Sequence, residues 1–399
     1  MSSPFFNNPS DQVVNVDFAH RVRFTRRAFD VTNPTLRDVF DSEEETGGPR
    51  PRILVIVDQG LIQVNNNLQQ QITDYFTHCS NHLPEIVRFR ALPGGEIIKN
   101  DLSFLEGLLA DLNQHGIDRR SYVLAIGGGA LLDTAGFAAA VTHRGVRLVR
   151  MPTTTLAQCD SGVGVKNGVN MFGKKNFIGS FAVPHAVIND LALLDSLSDR
   201  DWRCGLAEAV KVALLKDADL YADIRKNIPS LNQRQANAAD PIWQRSAELH
   251  LQHICLPVDE GGGGDPFEMQ TARPLDFGHW AAHQLEALSN YELRHGEAVA
   301  IGLALDVTYS QHAGLLEAET AREIIQTLNG LGFTLSHPRL SHADLLDGLD
   351  AFREHLGGRL TVTLLRGIAD PIDLHEIDRA LMQRCVDVLL TSAEALPSP

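Results

Sequence analysis

The chain has 399 residues, of which 44% are hydrophobic and 21% charged, and its formal net charge is −15. This length suffices for two domains of roughly 100–200 residues each, and the acidic balance argues against a nucleic-acid partner, which requires a basic face. The five cysteines form no CxxC pair, the N-terminus has no signal-peptide pattern, and no apolar run reaches the ~18 residues of a membrane span. We therefore predict a cytoplasmic protein with no disulfide framework and no membrane partner.

In the first part of the chain, apolar runs typical of buried parallel strands alternate with segments of helical periodicity. The runs are "RILVIV", "PEIVRFRAL", "SYVLAIG" and "RLVRMP". Such an alternation predicts an α/β domain with a parallel sheet covered by helices on both faces.

Beyond about residue 190 the pattern changes to long segments with helix-period apolar faces, including "DWRCGLAEAVKVALLKDADLYADI" and "GEAVAIGLALDVTYSQHAGL". We predict two domains, an α/β domain over residues 1–190 and an all-α domain over residues 191–399. The run "GGGGDP" at 261–266 predicts a flexible loop, and "SAEALPSP" at 392–399 predicts a frayed C-terminus.

Two glycine-containing turns follow predicted strands of the sheet. Gly127, Gly128 and Gly129 lie between a strand and a helix, where glycines let the backbone approach a pyrophosphate at the helix N-terminus. The run "PGGEIIKN" adds Glu96 and Lys99 after another strand. A tight structural turn explains the first run equally well, and a solvated turn explains the second. Two such turns at strand ends of one sheet favour a nucleotide site.

A glutamate and three histidines have spacings that suit a metal site. Glu208 and Lys211 lie at i,i+3 in an apolar helix, His279 and His283 lie at i,i+4 in another, and His295 begins the next one. An exposed ion pair and ordinary core or surface histidines are the alternative explanations. Together the residues fit a zinc ion with three protein ligands and one open position, and a buried carboxylate requires a cation.

Residues 153–181, "TTTLAQCDSGVGVKNGVNMFGKKNFIGSF", collect cations in an acidic chain. The segment holds Asp160 and three lysines, Lys166, Lys174 and Lys175, among glycines and asparagines. Since the chain as a whole is negative, this local cluster predicts a site for an anionic small molecule.

Four motifs in chain order resemble the 3-dehydroquinate synthase superfamily, the sugar phosphate cyclases. They are the glycine turn with the lysine segment, "GLAEAVK", "FGHWAAH" and "RHGEAVAIG". The resemblance extends from about Ile53 to Asp378. It implies an NAD-binding N-terminal domain, a helical metal-binding C-terminal domain and an active site in the cleft between them. It also implies a homodimer and a sugar phosphate substrate.

The resemblance implies roles for individual residues. The implied ligands of Zn²⁺, or of Co²⁺ in its place, are Glu208, His279 and His295. The implied contacts to NAD are Asp58, Glu96, Lys99, Gly128, Gly129, Asp133, Thr153 and Thr154, together with Lys166 and Lys175. The implied active-site positions are Asp160, Lys166, Lys175, Asn176, Lys211, Asp276 and His283, and Arg144 matches an arginine that family members lend across the dimer interface.

The family's chemistry explains these residue types. The resemblance implies that Lys166 and Asn176 hold the substrate phosphate, while Asp160 and Lys175 reach the sugar and the nicotinamide side; Lys174 is a solvated neighbour. NAD oxidises a ring hydroxyl held on zinc, phosphate is eliminated, the same cofactor reduces the ketone back, and an aldol step closes the carbocycle. Zinc serves as the Lewis acid and the lysines neutralise the phosphate. Because NAD is regenerated, the enzyme is a lyase in net terms.

Three departures from the 3-dehydroquinate synthases indicate a branch of the superfamily. Asp276 stands where those enzymes usually have asparagine, Ala272 stands where they place a carboxylate-binding arginine, and "FREHLGG" replaces a late lysine segment. Arg273 is adjacent to Ala272 and is an alternative carboxylate ligand. These segments look more like the sedoheptulose 7-phosphate cyclases, typified by 2-epi-5-epi-valiolone synthase, so we predict sedoheptulose 7-phosphate as the substrate.

Three other functions stay open at this point. The first is 3-dehydroquinate synthase itself. The second is a group III metal-dependent alcohol dehydrogenase, which shares the "GGG" turn and the "PTT" strand but usually binds metal through an aspartate where this chain has Glu208. The third is a non-catalytic nucleotide-binding protein, against which the intact set of metal-ligand and lysine positions argues.

Overall fold

The computed structural model describes residues 16–40, 49–256 and 273–394. The loop predicted at 261–266, Ala272 and the side chain of Arg273 lie outside the described residues. Residues 392–394 of the predicted frayed C-terminus still belong to the last helix, and residues 395–399 are outside the described part.

A six-stranded parallel sheet organises the first part of the chain. The strands there are β1 (Val22–Thr25), β2 (Arg52–Asp58), β3 (Glu85–Leu92), β4 (Tyr122–Gly127), β5 (Arg147–Pro152), β6 (Lys166–Met171), β7 (Lys174–Phe181) and β8 (Ala186–Asp190). The sheet has the order β1-β8-β5-β4-β2-β3 with parallel neighbours throughout, while β6 and β7 form a separate antiparallel hairpin. The predicted parallel sheet is confirmed.

Helices cover both faces of this sheet. They are α1 (Gln59–Val64), α2 (Leu68–His78), α3 (Ile97–Asn100), α4 (Leu102–Gln114) and α5 (Gly129–Val141). Successive residues of β2 point to opposite faces. Val55 packs in one buried cluster with Ile72 of α2, and Leu54 packs in another with Leu108 of α4 and Leu132 of α5. Burial on both faces explains why this strand is a continuous apolar run.

The second part of the chain is mainly helical. Its helices are α6 (Asp199–Lys216), α7 (Ala218–Lys226), α8 (Ile228–Asn232), α9 (Ala236–Cys255), α10 (His279–Leu288), α11 (His295–His312), α12 (Ala318–Gly330), α13 (Gly348–His355) and α14 (Arg379–Glu394). It also contains an antiparallel hairpin that the sequence analysis did not predict, formed by β9 (Val362–Gly367) and β10 (Asp370–Leu374). Helix α11 is buried along most of its length, as expected for a helix that is apolar on all sides.

The two parts meet where α6 docks against the chain that follows β5. The Thr155 hydroxyl accepts a hydrogen bond from the Gly205 amide at 3.2 Å and donates one to the Trp202 carbonyl at 2.9 Å. A Cβ atom on Gly205 would lie 2.4 Å from the Cβ of Thr155, so only glycine permits this contact. The contact places the start of α6 beside the carboxyl edge of the sheet. Within the described residues, no helix combines the length and apolarity that crossing a membrane demands.

Candidate active site

Three side chains from three helices meet at the centre of the helical part. Glu208 lies on α6, and His279 and His295 are the first residues of α10 and α11. The Nε2 atoms of His279 and His295 lie 3.6 Å and 3.4 Å from Oε1 of Glu208. One ligand atom from each residue lies within 4.8 Å of the others, a spacing that can hold a metal ion. The predicted metal ligands are therefore brought together.

The Glu208 carboxylate is buried in a way that calls for a cation. It is 2% exposed, and neither oxygen meets the geometry of a hydrogen bond. Nζ of Lys211 lies 2.5 Å from Oε2 as an ion pair. Burial favours the neutral acid, but Lys211 and the two histidines outweigh it and lower the pKa of Glu208 to about 2. An ionised carboxylate with unused acceptor capacity fits a metal ligand.

The other ring nitrogen of each histidine is engaged by the protein. Nδ1 of His279 lies 3.1 Å from the Phe277 carbonyl, and Nδ1 of His295 lies 3.1 Å from Oε2 of Glu286. In a neutral ring, a proton on Nδ1 leaves the Nε2 lone pair facing Glu208. Burial disfavours the cation of His295, but Glu286 and Glu208 outweigh it and raise the pKa of His295 to about 9, so this ring is cationic near pH 7 and would have to lose its Nε2 proton to bind a metal ion. Burial and the nearby Lys211 lower the pKa of His279 to about 4, so this imidazole is neutral near pH 7. Both rings are thus oriented toward one point.

Glu286 is a functional candidate that the sequence analysis missed. It is buried on α10, and its second oxygen, Oε1, lies 3.4 Å from Nζ of Lys175 on β7. Burial opposes ionisation, but His295 and Lys175 hold the pKa of Glu286 well below its usual range. One carboxylate therefore connects a metal-ligand candidate with a lysine of the hairpin. Its position after His283 in "AAHQLE" was the available signal.

Asp160 adjoins the metal cluster from the sheet side. Its Oδ2 lies 3.8 Å from Nζ of Lys211, and its Oδ1 lies 3.0 Å from Nδ1 of His250 on α9. Burial raises the pKa of an acid, but Lys211 and His250 reverse this and hold the pKa of Asp160 well below its usual range. His250 is a second residue that the sequence analysis missed, because nothing in its local spacing differs from an ordinary helical histidine.

The hairpin β6–β7 carries three of the predicted active-site side chains, of which Lys166 and Asn176 were predicted to bind the phosphate. Lys166 begins β6, and Lys175 and Asn176 lie on β7. Glu286 and Glu96 outweigh the effect of burial and raise the pKa of Lys175, so this side chain stays cationic. Lys174, predicted to be solvated, has a side chain 63% exposed and lies 3.4 Å from Glu354.

Lys99, in the run "PGGEIIKN", joins the hairpin to helix α5. Nζ of Lys99 donates to Asp133 on α5 at 2.8 Å and also to Oδ1 of Asn176. Asn176 has a left-handed backbone with φ of 54°, which asparagine tolerates better than most residues. Glu96 accepts a hydrogen bond from Asn170 of β6 at 2.8 Å. These contacts bring four predicted residues, Glu96, Lys99, Asp133 and Asn176, to one edge.

The carboxyl ends of β2, β4 and β5 carry the remaining predicted nucleotide contacts. Asp58 ends β2 and caps α1 by accepting from the Gly60 amide at 2.7 Å, so it has a structural role here. Gly128 caps α5, and a Cβ on Gly129 would lie 2.7 Å from Oγ of Ser161. Thr153 and Thr154 follow β5. In parallel α/β sheets, ligands bind at this edge.

The remaining predicted residues differ in their placement. The ring of His283 lies 5.5 Å from that of His279 and 6.0 Å from that of His295. Asp276 ends a short 3-10 helix at Arg273–Asp276. Burial lowers the pKa of Lys211, but Glu208 and Asp160, with a smaller contribution from Asp276, raise it above its usual value. Arg144 is exposed in a left-handed turn after α5, and within the described chain it makes no ion pair or hydrogen bond to the cluster.

A buried arginine that the sequence analysis missed supports the loop between Asp160 and Lys166. Arg150 on β5 is fully buried. Its guanidinium donates to the carbonyls of Ser161, Gly162, Gly164 and Lys166 and to Oδ1 of Asn167, at 2.7–3.2 Å. The hydrogen bonds of this one buried side chain thus hold the conformation of the loop.

Comparison with known proteins identifies the family. The chain matches the family model described as 3-dehydroquinate synthase N-terminal over residues 90–204, and the one described as 3-dehydroquinate synthase C-terminal over residues 205–351. It is 34% identical over 300 residues to a 3-dehydroquinate synthase of Solibacter usitatus (strain Ellin6076), covering 73% of this chain and 82% of that protein. The chain belongs to the 3-dehydroquinate synthase family.

Two further relatives belong to the other branch. The chain is 32% identical over 293 residues to a 2-epi-5-epi-valiolone synthase of Streptomyces glaucescens, covering 72% of this chain and 74% of that protein. A solved structure of ValA, a 2-epi-5-epi-valiolone synthase from Streptomyces hygroscopicus subsp. jinggangensis 5008 with NAD⁺ and Zn²⁺ bound, superposes with a TM-score of 0.83. That match is 27% identical and covers 95% of this chain and 99% of ValA.

These matches confirm the predicted family, the fold and the class of enzyme, a carbon–oxygen lyase of the cyclase type. They favour a cyclase over an alcohol dehydrogenase or a non-catalytic protein. The 3-dehydroquinate synthases and the 2-epi-5-epi-valiolone synthases are similarly close to this chain. Family membership therefore does not identify the substrate, and the residues of the site must be considered.

Proposed function

We propose that the protein is an NAD- and metal-dependent cyclase that converts sedoheptulose 7-phosphate to a cyclitol with loss of phosphate. The observation that carries this choice is Asp276, an acid close enough to Lys211 for its charge to help raise the pKa of that lysine, which pairs with Glu208. The superposition on ValA along nearly the whole chain supports the same branch.

In this proposal Glu208, His279 and His295 hold the metal ion, which fits the buried, ionised carboxylate of Glu208, whose Oε1 faces both histidines. A divalent ion held there supplies Lewis acidity toward a substrate oxygen, with zinc as the expected metal and cobalt as a substitute. Lys211 neutralises part of the charge of Glu208 and Asp160, and Glu286 fixes the ring of His295.

The carboxyl edge of the sheet holds NAD in this proposal, with the backbone of Gly128 and Gly129 next to the pyrophosphate. NAD supplies a reversible hydride acceptor. Lys166, Lys175 and Asn176 bind the phosphate and the sugar, and His283 lines the site. The ionised Asp160, held by His250, can accept a hydrogen bond from a substrate hydroxyl.

Asp276 favours a substrate that ends in a hydroxymethyl group. A carboxylate that enters a closed site must exchange its hydration for charge-assisted hydrogen bonds, ideally from a bidentate arginine. A poorly paired buried charge costs several kcal/mol. The Asp276 carboxylate would repel a second carboxylate, whereas it can accept a hydrogen bond from a hydroxyl group.

The test is kcat/KM for sedoheptulose 7-phosphate and for the carboxylated substrate of 3-dehydroquinate synthase, measured on one preparation. We expect a preference for the neutral sugar phosphate. Asp276→Asn should narrow that preference by about tenfold, the equivalent of about 1.4 kcal/mol, whereas the exposed Asp344→Asn should leave it unchanged. A wild-type preference for the carboxylated substrate would return the protein to the 3-dehydroquinate synthases.

Phosphate release distinguishes the proposed lyase from a dehydrogenase. Because NAD cycles within one turnover, phosphate should appear in proportion to the substrate consumed, with no rise in NADH absorbance. Steady NADH formation that matched substrate consumption would contradict the cycle.

We further propose a cytoplasmic homodimer in which Arg144 reaches the partner's site, and a domain boundary near Asp190. Arg144 is exposed, and within the described residues it does not contact the metal-ligand cluster of its own subunit. Both facts support a role for Arg144 in the partner's site. The change at Asp190 from strands to helices supports the boundary.

A further inference from the structure

One buried acid in the helical part is unused by the proposed reaction. Asp306 is the only charged residue in the run "AVAIGLALDVTYS" of α11, and it is fully buried. In the described chain it forms no ion pair with a basic side chain. A buried carboxylate without a cation is costly, so its hydrogen-bond partners must account for its presence.

Both partners of Asp306 belong to the start of α10. Oδ2 accepts from the Gly278 amide at 2.9 Å, and Oδ1 accepts from Nε1 of Trp280 at 2.9 Å. Gly278 and Trp280 flank His279 on either side. The carboxylate therefore fixes the chain immediately before and after a proposed metal ligand, although it does not touch the ligand itself.

The backbones of α10 and α11 are in contact at this point. Gly278 has a φ of 77°, and a Cβ atom there would lie 2.8 Å from the amide nitrogen of Leu303. A Cβ on Gly302 would lie 2.0 Å from the Gly278 carbonyl oxygen. Glycine at both positions permits this approach, which brings the Gly278 amide within reach of Asp306. The left-handed residue would otherwise leave a free amide in the core.

From these contacts we infer that Asp306 is a positioning residue for the metal site. Helix α11 supplies His295 directly and, through Asp306, sets the location and orientation of His279 on α10. The inference rests on the proposed function of the Glu208–His279–His295 cluster. It concerns the protein's own residues and the affinity and geometry with which they bind a metal ion.

The test is a titration of the metal-free enzyme with Co²⁺, in which the visible absorption of the bound ion is recorded. Asp306→Asn keeps the size of the side chain but turns an NH₂ group toward one of the two donors. We expect it to weaken Co²⁺ binding at least about tenfold, the lower end of the loss for groups that orient ligands, and to shift the absorption bands. Trp280→Phe removes the indole donor to Asp306. It should weaken Co²⁺ binding and shift the absorption bands in the same direction as Asp306→Asn, but by a smaller amount.

The matched control is Thr308→Val. Thr308 is also buried and polar on α11, but its hydroxyl donates only to Ala304 of its own helix, at 2.7 Å. This variant should bind Co²⁺ with the wild-type affinity and spectrum. If Asp306→Asn folds and binds like Thr308→Val, the inference is overturned. If Asp306→Asn does not fold, an unchanged affinity and spectrum in Trp280→Phe overturns it.

A further variant separates this inference from the proposed metal site. His279→Ala should abolish stoichiometric Co²⁺ binding. Full binding by His279→Ala would refute the proposed ligand set, whatever Asp306→Asn does. Loss of binding in His279→Ala with no change in Asp306→Asn or Trp280→Phe would leave the metal site standing and remove the role of Asp306.

Discussion

The two sides of the proposed active site are built differently. On the helical side, Glu208 is 2% exposed and its neighbours already point their ring nitrogens toward it. On the hairpin side, Lys174 and Lys175 lie on a strand whose residues are largely exposed, and Phe172 at its tip is 79% exposed. A buried carboxylate must be compensated within the fold, whereas the ammonium of Lys174 is largely solvated and that of Lys175 is partly exposed beside Glu286. The metal side is preformed, and the phosphate side depends on its ligand.

The largest effect is expected from breaking the preformed side. His295→Ala should abolish stoichiometric metal binding and activity while the fold is kept, because α11 remains buried among its neighbours. Metal content and circular dichroism measure the two outcomes. His312→Ala, at the exposed other end of the same helix, is the control and should keep both metal and activity. A full equivalent of metal in His295→Ala would show that the ligand assignment is wrong.

Two adjacent lysines test the ligand-dependent side. Lys175→Gln should lower kcat/KM by about ten- to a hundredfold, since hydrogen bonds to charged groups contribute about 1.5–3 kcal/mol. Lys174→Gln loses only an exposed ion pair with Glu354 and should have little effect. Neither variant should change metal content. Equal losses in the two variants would contradict the distinction between the neighbours.

Mixing two inactive variants tests whether the hairpin side is completed by a second subunit. In hybrids of Arg144→Ala and Lys166→Ala, one site per dimer has both residues intact. Equal mixing with free exchange should restore about a quarter of the wild-type activity, since half the dimers are hybrid and each has one intact site. No recovery after demonstrated exchange would place Arg144 outside the partner's site.

The last prediction concerns the stability of the helical side rather than activity. Burial raises the pKa of Asp306 to about 7, although the hydrogen bonds from Trp280 and Gly278 oppose the shift. The native state therefore binds a proton that the unfolded state releases near pH 4. The contribution of Asp306 to stability is greatest below pH 4 and falls as the pH rises to about 7. Cys385 also faces this group, but burial raises its thiol pKa to about 11, so it stays neutral in this range.

The measurement is the free energy of unfolding of wild type and Asp306→Asn between pH 4 and pH 8. The wild type should lose a few kcal/mol relative to the variant over this interval, at about 1.4 kcal/mol per pH unit. The difference should level off as the pH rises above about 7. Parallel curves throughout would show that Asp306 does not titrate in this range.

Local spacing singled out Glu208, His279, His283 and His295 as candidates for a metal site. The family resemblance then selected Glu208, His279 and His295 as the predicted ligands. The lysines stood out because they are concentrated in an acidic chain. The alternation of apolar runs was enough to predict the parallel sheet, since strands buried on both faces are predominantly apolar.

The residues that were missed act across elements. Glu286, His250, Arg150 and Asp306 each contact partners on another element or a distant loop, and apart from the position of Glu286 after His283 their spacing does not distinguish them from ordinary helical or strand residues. The hairpin β9–β10 was also not predicted. Each of its short strands pairs with the other, and that pairing is not visible in the apolar pattern of either strand alone. Without a contact map, such residues appear as single polar positions in apolar runs.

The buried guanidinium of Arg150 has a consequence for how an anionic substrate approaches the protein. All its hydrogen-bond acceptors are neutral carbonyl or amide oxygens, so its charge is not cancelled by a carboxylate in direct contact. With the lysines of the hairpin, it adds positive charge near the carboxyl edge of the sheet, on a molecule whose overall charge is −15. We expect a substrate dianion to be repelled by the surface as a whole and attracted locally by these cations. Such an electrostatic field directs a diffusing anionic substrate to one part of the surface. The effect weakens at higher salt concentration, which shortens the range of the field.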